Sequence, residues 1–299
     1  MSPVDCSVVI PTRDRPGALD TCLEALASQS LPRNRFEVIV VDDGSRSPVE
    51  SRLGAWRSRI NIAHARTAGA GPAAARNAGI AMAAGRHFAF TDDDCVPEPG
   101  WLAALLTGLA RQPGALVGGR TFNLLAGSPA PEASQLISDV VQEFYNADPG
   151  HPRFFTSNNL AGEAGALRAV GGFDESLRTA EDRDLCDRWL ASGRPIAFAP
   201  DAVVGHAHRM NVAGFIRQHM GYGRGAYRFS RARQARRPGT TTVEFGFYAG
   251  LLPRVARLIR SRRHPAAVGA LLVIWQLANT AGFIQEWAAE HAPRPQGIS

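Results

Sequence analysis

The sequence predicts an α/β fold: a mostly parallel sheet flanked by helices, followed by a helical extension at the C-terminal end. Two observations carry that prediction. Through the first 110 residues, short apolar runs rich in β-branched and aromatic side chains alternate with stretches of helical spacing, the pattern of βαβ units. Three of the runs also end abruptly in polar clusters: Pro11-Thr12-Arg13-Asp14, Asp42-Asp43-Gly44-Ser45 and Asp92-Asp93-Asp94. Right-handed crossovers bring the carboxyl ends of parallel strands to one edge, where such sheets bind their ligands.

Taken in order, residues 6–10 form an apolar strand closed by Pro11. Leu19, Leu23 and Leu26 give residues 16–28 a helix period. Residues 36–41 read as a second strand, 49–56 as a short helix and 60–65 as a weaker strand. The alanine-rich stretch 72–84 starts with a proline, as helices often do. Residues 88–91 are a buried strand running into the aspartate triplet, and 99–110 a helix. A further strand starts at Leu116, a loop spans 126–130 and a helix 134–145. Residues 148–152 and 171–174 are turns, 180–191 is a helix opening on Glu181-Asp182, and 196–198 and 202–204 are short strands. Beyond Asn211 the character changes. A basic helix is expected over 212–233, a charged hinge over 231–239, an amphipathic stretch over 245–259 and a strongly apolar one over 266–283. The expected organisation is a catalytic domain over 1–210, with a nucleotide-binding half 1–115 and an acceptor half 116–210, and a helical region over 211–299.

A chain of 299 residues has ample length for a sizeable core. All 33 of its basic residues are arginine, and the net charge of +6 is unevenly placed. Residues 206–264 hold thirteen arginines against Glu244 alone, a charge of +12, which leaves the remainder at −6. A basic segment on an acidic body points to an anionic surface, membrane or nucleic acid. The apolar stretch 266–283 is at the lower length limit for a spanning helix and contains Gln276, Asn279 and Thr280. With the basic amphipathic stretch before it, interfacial attachment at the inner face of the cell membrane fits better; a helical pair packed on the catalytic body is the alternative. Cys6, Cys22, Cys95 and Cys186 form no paired or zinc-ligand spacing and read as reduced, buried, cytosolic thiols. A strand begins within a few residues of the N-terminus, leaving no room for a signal peptide.

The strand-end clusters suit a nucleoside-diphosphate sugar. Asp92 and Asp94, alternate residues after a strand, reach one Mg²⁺ or Mn²⁺ that neutralises a departing diphosphate, while Asp93 points elsewhere, to ribose or sugar. Asp42 and Asp43 accept hydrogen bonds from a base or ribose, beside Pro11, Thr12 and Arg13. Arg76 sits in an otherwise small, apolar helix and needs a partner, either the aspartates or a diphosphate. Glu181-Asp182 offers the general base that direct displacement requires, and one carboxylate acting once inverts the sugar's configuration. His206 or His208 completes the metal site. Each element has a bland alternative: an Asp-Gly turn, a surface arginine, helix-start acids that favour the dipole, a surface histidine pair.

Six stretches in this order resemble the family 2 glycosyltransferases, whose fold is GT-A: Val8 with Val9-Ile10-Pro11-Thr12-Arg13-Asp14-Arg15, Val40-Val41-Asp42-Asp43-Gly44-Ser45, Ala75-Arg76-Asn77-Ala78-Gly79-Ile80, Phe90-Thr91-Asp92-Asp93-Asp94, Gly171-Gly172-Phe173-Asp174-Glu175 and Glu181-Asp182-Arg183-Asp184-Leu185. The resemblance covers about residues 4–210. It implies that Asp42 binds the nucleobase or ribose and that Asp92 and Asp94 are the DXD motif, with Asp94 the direct metal ligand. It further implies that Asp182 is the catalytic base, that Glu181 helps place the acceptor and that His206 completes the metal site, with His208 its competitor. Cys95 stands where a further acid is frequent. The nearest text to the QxxRW motif of processive synthases is Gln218-His219-Met220-Gly221-Tyr222, without Arg and Trp. That departure implies single transfers to a glycan or lipid-linked acceptor, with a UDP-sugar favoured as donor.

A sugar-nucleotide nucleotidyltransferase would need a glycine-rich basic loop after the first strand, and residues 11–17 hold only one glycine. The GxGxxG of a dinucleotide-binding turn is absent there too. A non-enzymatic membrane or nucleic-acid binding protein would account for the arginine-rich tail, with Tyr222, Tyr227 and Phe229 among its arginines, but leaves the acidic clusters without a purpose. No nucleic-acid partner is therefore expected.

Overall fold

The computed structural model describes residues 4–125, 127–240 and 244–292; Ala126 of the expected 126–130 loop and residues 293–299 of the expected C-terminal region lie outside them. The chain divides into two compact units. Residues 4–125 and 138–208 make the first; residues 127–137, 209–240 and 244–292 make the second.

The first unit is built on an eight-stranded sheet. Its strands are β1 (Cys6–Thr12), β2 (Phe36–Asp42), β3 (Ile62–Arg66), β4 (His87–Phe90), β5 (Cys95–Pro97), β6 (Leu116–Asn123), β7 (Leu160–Glu163) and β8 (Ile196–His206), in the spatial order β3-β2-β1-β4-β7-β6-β8-β5. From β3 to β4 every pairing is parallel. Beyond β4 the sheet is mixed: β7 runs antiparallel to β4 and β6, and β5 antiparallel to β8. The helices of this unit include α1 (Pro16–Ala27), α2 (Glu50–Leu53), α3 (Pro72–Met82) and α4 (Trp101–Arg111). α5 (Pro129–Tyr145) has residues in both units; α6 (Ala164–Ala169) and α7 (Glu181–Ala191) complete the first.

Strand alternation separates two cores. Val8, Ile10, Val38 and Val40 pack with Leu19, Leu23 and Leu26 of α1 and with Trp101, Leu102 and Leu105 of α4. Val9, Ile39 and Val41 point to the other face and pack with Ala75 and Ile80 of α3 and with Leu185 and Trp189 of α7. Strands buried on both faces read as continuous apolar runs, which is why β1 and β2 stand out in the sequence. The two short strands expected over 196–204 are one strand, β8, whose pairing with β6 is irregular between Gly118 and Arg120. Pro200 lies in that irregular stretch, where a missing N–H is tolerated.

The second unit contains α8 (Val212–Arg236), α9 (Phe245–Ala249), α10 (Leu251–Ile259) and α11 (Pro265–His291). The amphipathic stretch 245–259 is thus two helices meeting at Gly250, and the apolar helix is longer than its apolar core. Two close approaches join α8 to α11. A Cβ added at Gly223 would lie 2.0 Å from the Asn279 carbonyl oxygen, and one at Gly282 2.0 Å from that of Met220. Only glycine lets the backbones touch in this way.

Candidate active site

β1, β2 and β4 end side by side, and their polar ends meet as the parallel topology requires. The three aspartates after β4 take three different partners. Asp92 is bound by Arg76, with Nη2 to Oδ1 at 2.7 Å. Asp93 is fully buried, accepts from Thr12 Oγ1 at 2.7 Å and pairs with Arg15 Nη2 at 2.7 Å. Asp94 pairs with Arg15 Nη1 at 2.6 Å and with His206 Nε2 at 3.2 Å. Asp93 and Asp94 thus share Arg15 while Asp92 is held by Arg76; the expected alternation stops at Phe90, because the aspartates lie in a turn closed by the Cys95 N–H donating to the Asp92 carbonyl at 3.1 Å.

Strand register explains the third partner. β5 begins one residue after Asp94, and Cys95 lies opposite His206 in the antiparallel pairing with β8. The Ala207 N–H donates to the Asp94 carbonyl at 2.9 Å, which locks the two segments together. Asp94, Cys95 and His206 consequently present three ligand-type atoms within 4.8 Å of one another. Asp92, expected beside Asp94 as a metal ligand, is not in that cluster because Arg76 claims its carboxylate. His208 is buried and packs against His206 with the rings tilted by 49° and 3.8 Å between their centroids. Burial pushes its pKa down to about 3, so it is a neutral ring behind His206.

The electrostatics follow the packing. Burial opposes ionisation of Asp94, yet the hydrogen bond and charge of His206 and the charge of Arg15 outweigh it and hold the carboxyl down to about 2. Burial pushes Asp93 up to about 7 against the pull of Arg15 and Thr12. The Cys95 thiol is raised well above its ordinary value by burial and stays protonated.

Arg76 is the bridge to the second carboxylate group. Only 4% of its side chain is exposed; Nη1 reaches Glu181 Oε1 at 2.9 Å while Nη2 holds Asp92, and the guanidinium lies 5.4 Å from the Phe173 ring centroid. Burial alone would weaken its charge, but Asp92 and Glu181 more than compensate and its pKa rises. Glu181 opens α7, where acids suit the helix dipole. Burial pushes it up to about 7, the Asp182 charge adding to the rise and Arg76 opposing it. Burial likewise raises Asp182, which accepts from its neighbour Arg183 N at 2.7 Å and from the Ser157 backbone N–H.

The end of β2 is arranged differently from the sequence expectation. The Asp42 carboxylate is 2% exposed and works inside its own loop. It accepts from Ser45 N at 2.8 Å, Val49 N at 3.4 Å and Arg66 Nη1 at 2.9 Å. Asp43 accepts from Thr67 Oγ1 at 2.7 Å and from Gly71 N, at the start of α3, at 3.0 Å. Arg13 lies 3.9 Å from it with half its side chain exposed. Pro11 and Thr12 are buried in β1.

Sequence reasoning passed over Arg15, although it stands in the Pro11-to-Arg15 string, and Arg66, which β3 aligns opposite Asp42. It also missed Asn158, whose amide lies 3.5 Å from His206 Nδ1 and whose Oδ1 accepts from Thr156 Oγ1 at 2.6 Å.

Comparison with known proteins bears on the family and the fold. The sequence model of glycosyl transferase family 2 matches residues 7–169. The pre-mycofactocin glycosyltransferase of Mycobacterium tuberculosis is 34% identical over 225 residues, covering 73% of this chain and 46% of the relative. The chain thus spans about half the length of that relative. A mannosyltransferase from Pyrobaculum calidifontis, solved with GDP-Man and Mn²⁺, superposes with a TM-score of 0.62 at 20% identity, covering 97% of this chain and 76% of that one. TarS of S. aureus, residues 1–349, solved with UDP-GlcNAc, gives a TM-score of 0.55 at 16% identity, covering 98% and 93%.

Proposed function

Because the chain belongs to glycosyl transferase family 2 and has the GT-A fold, we propose that it transfers a sugar from a nucleoside-diphosphate sugar, a UDP-sugar by preference, to a hydroxyl of a lipid-linked or polysaccharide acceptor, with inversion at the anomeric carbon. One observation carries the reading. The buried Arg76 guanidinium ties Asp92 to Glu181, the neighbour of the candidate base Asp182, so the strand-end aspartates and the Glu181-Asp182 pair share one site. The GDP-Man and Mn²⁺ of the mannosyltransferase and the UDP-GlcNAc of TarS support a sugar nucleotide as donor.

Asp94 offers an oxygen that suits Mn²⁺ or Mg²⁺, and His206 an imidazole nitrogen that Mn²⁺ accepts; the protonated Cys95 thiol beside them suits neither ion. In this reading Asp94 and His206 would hold the ion, while Asp92 stays on Arg76. Such an ion, when bound, supplies charge neutralisation for the diphosphate leaving group. Arg15 and Arg76 add fixed positive charge around the same carboxylates. Asp182 takes the proton from the acceptor hydroxyl as its oxygen attacks; a base raised towards neutrality by burial is better matched to that transfer than an ordinary aspartate. Glu181, fixed by Arg76, helps place the acceptor. Asp43, Arg13 and Thr12 border the nucleoside, and Asp42 braces the loop that shapes its pocket. Attachment to the inner face of an anionic membrane through the arginine-rich second unit brings the enzyme to a lipid-linked acceptor.

The test is nucleotide release by the purified protein with Mn²⁺ and a panel of UDP-, GDP- and dTDP-sugars. One donor is expected to be consumed, and Asp182→Asn to slow transfer by roughly 10²–10⁴-fold, the worth of a positioned base. Transfer by Asp182→Asn at the wild-type rate would remove that residue from the chemistry.

A further inference from the structure

The second unit carries a surface that sugar transfer does not use. One face of α11 is spent on α8: Val268, Leu271, Trp275, Ala278 and Gly282 are buried. The two helices run in the same direction. His219 sits beside Trp275, Arg224 donates to Gln285 at 3.0 Å, and Arg228 and Arg231 pair with Glu286 and Glu290 at 2.7 and 3.0 Å. The opposite face of α11 is open. Val273, Leu277, Ile284 and Trp287 are 62%, 66%, 54% and 50% exposed. Their spacing places them on one stripe, which exposed Ala266 and Ala270 extend towards the N-terminus. At 1.5 Å per residue the stripe is roughly 30 Å long. No charged residue occurs between Pro265 and Gln285.

We propose that this stripe is seated in the head-group region of an anionic bilayer, with α11 lying in the membrane plane rather than crossing it. The inference rests on the membrane attachment proposed above and fixes its geometry. Charge selects the occupant. Among its described residues the unit carries thirteen arginines against Glu132, Glu244, Glu286 and Glu290, a net charge of +9 that draws it to anionic lipid, each unpaired arginine near the surface contributing about 1 kcal/mol. α10 repeats the design, with Leu251, Leu252, Val255, Leu258 and Ile259 along one side and Arg254, Arg257 and Arg260 along the other. Leu252 is 78% exposed, as is 75% of Phe245 in α9.

Packing disfavours the spanning geometry. α8 is fastened along α11, so a crossing α11 would draw Arg224, level with Gln285, and the Arg228–Glu286 pair towards hydrocarbon, whereas α11 in the membrane plane leaves them in the head-group region. A second copy of the chain is the poorer occupant, since it would bring two strongly basic units together against like-charge repulsion.

The experiment uses the full chain in two formats. Flotation with phosphatidylcholine vesicles, with and without phosphatidylglycerol, is expected to show binding only to the anionic set. Leu277→Glu with Ile284→Glu should weaken that binding at least tenfold, and sedimentation should show both proteins as monomers. Inverted membrane vesicles from expressing cells then report the geometry. Alkaline carbonate should release the protein, and single cysteines introduced off the stripe, as Ala267→Cys and Ala289→Cys, should both react with an impermeant thiol reagent. Protection of one end until detergent is added would mean that α11 spans, overturning this geometry while leaving membrane attachment intact. Vesicle binding indifferent to the double substitution would overturn the stripe. Absence of binding, or a stable dimer that the double substitution converts to monomer, would overturn both the geometry and the attachment; nucleotide release, assayed separately, would be untouched by any of these results.

Discussion

Arg76→Met is the most informative single substitution in the first unit. Methionine keeps much of the apolar stem but removes the guanidinium from between Asp92 and Glu181, both within 3 Å of it. Each lost pair is worth about 4 kcal/mol of Coulomb energy at the effective dielectric of a partly buried site. Measured losses on breaking such pairs are about 3–5 kcal/mol, because a charge is left buried without its partner. Glu181 supplies an internal check. Burial already pushes it up to about 7 with Arg76 in place, and without Arg76 it must rise further. A carboxyl raised in the folded state contributes stability that is present below its unfolded pKa and lost as pH rises through the folded value. The Glu181 share of the Arg76→Met penalty should therefore be small below pH 7, where the carboxyl is protonated with or without Arg76, and grow as pH rises above 7, where adding Glu181→Gln should recover part of it. Urea unfolding followed by the fluorescence of Trp101 and Trp189, both buried in this unit, measures it. A penalty under about 1 kcal/mol, or one that does not change with pH, would refute the claim that Arg76 is the buried counter-charge of this site.

Three further outcomes are expected. Asn159→Ala should cost about 2–4 kcal/mol, because the amide accepts from Trp101 Nε1 and donates to the carbonyls of Arg120 and Ala202, leaving buried groups unpaired; thermal unfolding reads the loss. Gly44→Ala should impair folding and donor binding together, since Gly44 has φ 74° and its Cβ would lie 2.9 Å from the Gly69 backbone nitrogen; calorimetry with the consumed sugar nucleotide tests both. His219 is buried with no hydrogen-bond partner for either ring nitrogen among the described residues, and burial pushes its pKa from 6.5 down to about 4. Its stability contribution is present above pH 6.5 and lost as pH falls towards 4, up to about 3 kcal/mol, so His219→Leu should flatten the acid limb of the stability profile.

Which parts of this were legible in the sequence follows from the range of the interactions. β1, β2 and β4 announce themselves because each is buried on both faces and stops at a polar cluster. β5 and β7 do not: three and four residues are too few to show a period. β8 was split at Pro200, where the pairing itself is irregular. The aspartate triplet was legible as a polar cluster at a strand end, but not its division: a turn follows Phe90, so Arg15 takes both Asp93 and Asp94 while Asp92 goes to Arg76. The partners were less so. Arg76 could be given a partner because a buried guanidinium needs one, but that it would take Asp92 away from Asp94 depends on α3 packing. That Cys95 faces His206 depends on the β5–β8 register, which joins segments over a hundred residues apart. Asp42 and Asp43 are indistinguishable in sequence; only the loop shows that Asp42 is wholly enclosed by Ser45, Val49 and Arg66.

The central claim is that the strand-end carboxylates form a metal-assisted site for a nucleoside-diphosphate sugar. Titration calorimetry of UDP and UDP-sugars into the wild-type chain and Asp94→Asn, each with Mn²⁺ and with chelator, tests it most directly. The account predicts binding to the wild type that depends on Mn²⁺, with Asp94→Asn losing that dependence along with most of its affinity. Equal affinity in chelator, or an Asp94→Asn protein that still binds in a Mn²⁺-dependent manner, would contradict it.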